Sequence, residues 1–152
     1  MKLNEVIGGF AATIGIENVN PDDAEGYTFE IDGMTVSFLE IPETQELVTT
    51  AEIGELPDEG REPIFRYLME AMFRDGGSGG AIFSLEPDSS RIWAHRRDSL
   101  ATMDVESFRA MLERFVNGLE EWRRIVSGLS DLAPKLAEAE GPADDSDAFL
   151  RV

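Results

Sequence analysis

The chain has 152 residues and a mass of 16.8 kDa, with no cysteine, one histidine (His95) and a formal net charge of −18. That excludes disulfides, thiolate metal sites, cysteine nucleophiles and multi-histidine metal centres, and it argues against nucleic acid, because phosphate binding needs clustered Lys and Arg. Leu, Ile, Val and Phe account for 40 of the 152 residues, above the roughly one-fifth below which chains tend to stay unfolded, so one domain with a core is expected.

No run approaches the roughly 20 apolar residues that would span a bilayer. Met1–Ile16 carries no apolar run followed by a small-residue cleavage site. The sequence therefore reads as soluble and intracellular. The charge is uneven: the first 60 residues hold 14 acids and one base, Lys2. That asymmetry suits either a basic partner or plain solubility.

In chain order, Leu3, Val6, Ile7, Phe10, Ala11 and Ile14 recur at steps of three and four, which predicts a helix with one apolar stripe and Gly15 at its C-terminal cap. Residues 17–26 read as a loop. The period then changes to two. Tyr27, Phe29 and Ile31 lead into Asp32-Gly33, followed by Met34, Val36 and Phe38. A two-residue type I′ turn there pairs Ile31 with Met34, Phe29 with Val36 and Tyr27 with Phe38, so all six share one face. Gln45–Ile53 reads as a third strand with Leu47, Thr49, Ala51 and Ile53 together. Pro63 suits the first turn of a second helix carrying Ile64, Phe65, Leu68, Met69, Met72 and Phe73. The run Asp75–Gly80 is a glycine-rich connection. It has no Gly-Lys-Ser/Thr ending and follows a helix, so it does not read as a phosphate loop.

Two further strands are expected at residues 81–86 and 91–97. Asp104 then caps a long helix running from Val105 through Trp122 to Leu129, ended by Gly128 and Pro134. Residues 133–152 read as an acidic, disordered tail after a domain of residues 1–132. Within the tail, Phe149-Leu150 is a stray apolar pair. The expected class is α+β: helix, three strands, helix, two strands, helix, with a mostly antiparallel sheet.

No residue pattern singles out a catalytic centre. The pairs Asp22-Asp23, Glu120-Glu121 and Asp144-Asp145 read as solvated carboxylates, and the last lacks the spacing of a calcium loop. Arg91, His95, Arg96 and Arg97 read either as an anion site or as a solvent-facing strand balancing nearby carboxylates, the second better supported because no glycine-rich loop or nucleophile accompanies them. No metal or cofactor is implied. The excess of large apolar side chains on short elements reads as core, or as a dimer interface or binding patch.

The pattern resembles the type III secretion chaperones of the CesT/Tir-chaperone family. The resemblance rests on the element order over residues 1–130, the strand–Asp-Gly–strand unit Phe29–Val36, and the segment Ala51–Pro57. It also rests on Leu68-Met69-Glu70-Ala71-Met72, where the family tends to have Leu-Leu-x-Ala-Asn, on Ala81–Leu85, on Arg91-Ile92-Trp93, and on Trp122. Met72 stands in place of that Asn. The resemblance implies a cytoplasmic bacterial homodimer without enzymatic activity that binds the extended N-terminal segment of one or more secreted effectors. Leu3, Val6, Phe10, Ile14, Phe29, Val36 and Phe38 are the candidate effector-binding residues, with Glu5, Glu17, Asp22, Asp23 and Glu25 guiding basic residues of the segment. Ile64, Phe65, Leu68, Met69, Met72 and Trp93 are the candidate dimer-interface residues. The alternatives are a YbjN-like regulatory domain of similar fold and an acidic immunity or antitoxin protein masking a basic toxin.

Overall fold

In the computed structural model, which describes residues 1–17, 19–21 and 26–140, helix α1 (Leu3–Thr13) precedes three strands, β1 (Tyr27–Ile31), β2 (Met34–Ile41) and β3 (Glu46–Glu55). Helix α2 (Glu62–Met72) leads through a 3-10 turn (Phe73–Asp75) to β4 (Ile82–Leu85) and β5 (Arg91–Ser99), and α3 (Val105–Glu140) closes the described chain. Asp22, Asp23, Glu25, Asp144-Asp145 and Phe149-Leu150 lie outside the described residues, as does the part of the expected tail beyond residue 140.

The five strands form one antiparallel sheet in the order β1-β2-β3-β5-β4. The hairpin register is the one the turn dictates: Tyr27 faces Phe38, Phe29 faces Val36 and Ile31 faces Met34. Asp32 and Gly33 both take positive φ, 50° and 75°, the backbone a type I′ turn requires. Strand β5 inserts between β3 and β4, so β4 lies at the sheet edge. Alternation along the expected strands does not carry that order.

One face of the sheet is dry. Leu47, Thr49, Ala51 and Ile53 of β3 are all buried there beneath the helices, beside Val36 and Phe38 of β2 and Ala94 of β5. Helix α1 contributes Leu3, Val6, Ile7 and Phe10, and α3 contributes Phe108, Leu112, Phe115 and Leu119. Four rings tie these layers together. Phe10 meets Phe108 at 5.3 Å and Phe29 at 6.5 Å, and Phe38 meets Phe108 at 5.4 Å and Phe29 at 5.9 Å, all tilted or edge-on, as ring quadrupoles prefer.

The helix ends follow local chemistry. Helix α1 closes with Ile16 N–H bonded to the Ala11 carbonyl (2.9 Å) and Gly15 at φ +79°, the six-to-one closure in which a left-handed residue follows the cap. Helix α3 opens with a reciprocal cap. The Ser107 N–H donates to the Asp104 carboxylate (2.7 Å), and the Asp104 N–H donates to the Ser107 hydroxyl (2.9 Å). The far end of α3 departs from expectation: it passes Gly128 and contains Pro134, ending at Glu140. A proline inside a helix forfeits one backbone bond and crowds the preceding turn, at about 3 kcal/mol. Here Ala133, fully buried immediately before it, packs against Gly60 in the turn between β3 and α2.

Candidate functional site: an apolar groove and an exposed helix face

A cavity of about 650 Å³ opens between α1, β1 and α3. Its floor is apolar: Phe10 and Ile14 from α1, Ile16 just after it, Phe29 and Ile31 from β1, and Leu112 and Val116 from α3. Its rim carries Glu30, Asp32, Arg109, Glu113 and Asn117. Ile14 is 51% exposed and Ile16 40%, while Phe29 and Ile31 are half-buried. Among the described residues, β1 is an edge strand and α1 stops at Thr13, so they leave the outer flank of the dry face open. Arg109 is committed to Glu113 (3.1 Å), and Glu30 accepts a hydrogen bond from the Thr35 hydroxyl. Three carboxylates against one guanidinium leave the rim negative, which favours a cationic group beside an apolar one.

The expected effector-binding residues divide between this groove and the core. Phe10, Ile14 and Phe29 line the groove. Leu3, Val6, Val36 and Phe38 are buried in the core. Glu5 instead caps its own helix, accepting from the Lys2 N–H at 2.8 Å. Residue-level reading missed Ile16, Leu112 and Val116. The signal for the last two was the width of the long helical stripe, which exceeds what one sheet covers.

A second apolar surface lies on α2. Phe65 is 39% exposed and Met69 68%, with Leu85 of β4 alongside them, around a small cleft of about 80 Å³ that reaches Met72 and Phe83. Arg66 borders this face, paired with Glu62 at 2.9 Å and Glu70 at 3.7 Å. Of the expected interface residues, Ile64 and Leu68 point into the core. Trp93 sits on the opposite, solvent-facing side of the sheet. There the Arg91 guanidinium stacks 5.1 Å from its ring centre and pairs with Glu52 at 2.6 Å. The structure thus brings Phe65, Met69 and Met72 together and leaves Trp93 apart.

The basic strand resolves into local pairs: Arg91–Glu52, Arg96–Asp98 at 2.6 Å and Arg97–Glu46 at 3.2 Å. The hydrogen bond and the charge of Glu52 together raise the Arg91 pKa further above its ordinary value. His95 Nδ1 lies 3.4 Å from the Ser84 hydroxyl. This is the charge-balanced strand the second sequence reading describes. Among the described residues no cluster of three His, Asp or Glu could hold a metal ion, and no helix is long and apolar enough to cross a membrane.

Comparison with known proteins agrees with this architecture. The model of the Tir chaperone protein (CesT) family matches residues 5–123. Among solved structures, the ExsC–ExsE complex superposes with a TM-score of 0.68 at 23% identity, covering 83% of this chain and 97% of that one. The HopA1–SchA chaperone–effector complex gives 0.60 at 17% identity, covering 78% and 88%. The Yersinia pestis type III secretion chaperone SycH, in complex with a fragment of YscM2, gives 0.59 at 19%, covering 77% and 96%. At these identities the likeness establishes a shared fold. No curated protein sequence matches the chain significantly.

Proposed function

Because the chain belongs to the Tir chaperone protein (CesT) family, we propose that it is a cytoplasmic bacterial chaperone of a type III secretion system. It holds the extended N-terminal segment of one or more secreted effectors and keeps that segment soluble and secretion-competent. It works as a homodimer and catalyses no reaction. The observation that carries this reading is the groove between α1, β1 and α3, an open apolar floor with a negative rim on a body of net charge −18. A chain segment that cannot bury its own apolar side chains gains by placing them there. The apolar floor supplies most of the affinity, since burying a Leu or Phe yields about 1.5–3 kcal/mol and an exposed ion pair about 0–1 kcal/mol. The rim selects segments with Lys or Arg next to the buried residue. The α2 face, with Phe65 and Met69, is where the second copy docks.

The test is capture of partners from the source cell, followed by binding measurements with the isolated first hundred or so residues of each captured protein. The chaperone reading expects these unfolded segments to bind the wild type and to lose affinity for Ile14→Glu. A partner that binds only as a folded domain, with an on-rate collapsing as salt rises, overturns it in favour of an acidic inhibitor.

A further inference from the structure

We infer that residues 124–140 of α3 act as a clasp on the turn between β3 and α2, setting the position from which α2 presents its apolar face to a second copy. The inference rests on the dimer part of the proposed function. It concerns a segment beyond the family match, which ends at residue 123.

Three contacts on one side of α3 make the clasp. Val126 is 1% exposed and packs onto Gly54 at the β3 bulge, where an added Cβ would come 2.9 Å from its Cγ1. One turn further on, the Ser130 hydroxyl donates to the Glu55 carbonyl at 3.4 Å. Next, Ala133 is fully buried against Gly60. A Cβ on Gly60 would lie 2.6 Å from the Ala133 carbonyl oxygen and 2.9 Å from its Cα, and Gly60 sits at φ +69°. Spacings of four and three residues place all three on one helical face. Gly60 is therefore a notch for α3 and a left-handed turn position at once, and only glycine serves both.

That notch lies two residues before α2 begins. The helix has no side-chain cap of its own: its N-cap residue, Arg61, turns its guanidinium back to the Pro57 carbonyl at 2.7 Å. Pro63 in the first turn favours a helix start here, and tertiary contacts add to it. The other end is already tethered within the family-matched region, where the Trp122 indole N–H donates to the Gly77 carbonyl at 3.1 Å and the Gly77 and Ser78 N–H groups return to the Ala71 carbonyl. Helix α2 thus hangs between Trp122 at its C-terminal side and the clasp at its N-terminal side. Within the family-matched region the Leu56 N–H bonded to the Ser90 carbonyl at 2.7 Å and the buried Ile64 also hold this side, and the clasp adds an attachment from beyond that region.

The experiment is amide exchange by mass spectrometry on the full chain carrying Ala133→Leu, which overfills the notch, and on a chain stopped after Ser127, with Leu132→Ala as an exposed control. Exchange in α2 should quicken at least tenfold in both variants, while the β1–β2 hairpin exchanges as in the wild type, and dimer dissociation measured by sedimentation should strengthen in step. Unchanged α2 exchange in both variants overturns the clasp. So does equal acceleration in the hairpin, which would make the segment a general support. A wild-type chain that is monomeric while its variants still loosen α2 would sink the dimer reading and leave the clasp standing.

Discussion

The groove between α1, β1 and α3 and the open face of α2 are both apolar surfaces left over after the core is filled, yet they differ in shape and in charge. The groove is concave, about 650 Å³, and rimmed by Glu30, Asp32 and Glu113. The α2 face carries a cleft of about 80 Å³ between Met69 and Phe83 and an open hollow of about 330 Å³ beside Arg66, and there one guanidinium engages both flanking carboxylates, Glu62 and Glu70. A concave floor takes side chains from an extended segment. A shallower face whose carboxylates are both engaged by Arg66 suits another such face, such as its own copy. Excess apolar area alone does not say what covers it, whereas curvature and unpaired charge do.

Breaking the support shared by the groove should have the largest effect. Phe38, 1% exposed, braces Phe29 and Phe108. Phe38→Ala is expected to cost about 3–5 kcal/mol, the range for a buried ring replaced by a cavity, read by urea denaturation. Groove binding should fall with it while the α2 face remains. Met69→Glu separates the two surfaces cleanly. It places a charge where a copy would dock but disturbs little of the core, since Met69 is 68% exposed. Light scattering should then read 16.8 kDa in place of twice that value, with segment affinity per chain retained. Ile14→Glu is the reciprocal change: the dimer persists, the melting temperature stays within a few degrees, and affinity for an effector segment drops at least tenfold.

The smallest expected effect sharpens the comparison from outside both surfaces. The Ser107 N–H, and then its hydroxyl, hold the Asp104 carboxyl below the ordinary aspartate range. The unfolded chain therefore binds this proton more readily, and the cap's contribution is present above the unfolded-state value and is lost as pH falls through the folded-state value. Asp104→Ala should lower the melting temperature by a few degrees at neutral pH and by less at acid pH, in thermal scans across that range, without altering either surface.

Much of this arrangement was legible in the residues. Asp32-Gly33 between two period-two runs determined the hairpin register, because that turn admits one pairing and a one-residue slip would turn one strand's three apolar side chains to the other face. Asp104 and Gly15 marked helix ends through local hydrogen bonding. The placement of β5 between β3 and β4 was not legible, since both antiparallel orders satisfy the same alternation. The extent of α3 was misread because Pro134 is a local stop signal, and the burial of Ala133 against Gly60 is a contact 73 positions apart in the chain. The candidate site divided for a related reason. Periodicity identifies the apolar face of a strand or helix, but not which part of that face its neighbours leave open. Val36 and Phe38 share a face with Phe29, and only Phe29, on the edge strand, reaches the groove.

A photo-crosslinking amino acid placed in turn at Ile14 and at Met69, in the cell from which the chain comes, tests the division of labour most directly. The account expects the Ile14 position to capture the N-terminal segment of a secreted protein, and the Met69 position to capture a second copy of the chain. Capture of the effector at Met69, with none at Ile14, would contradict it.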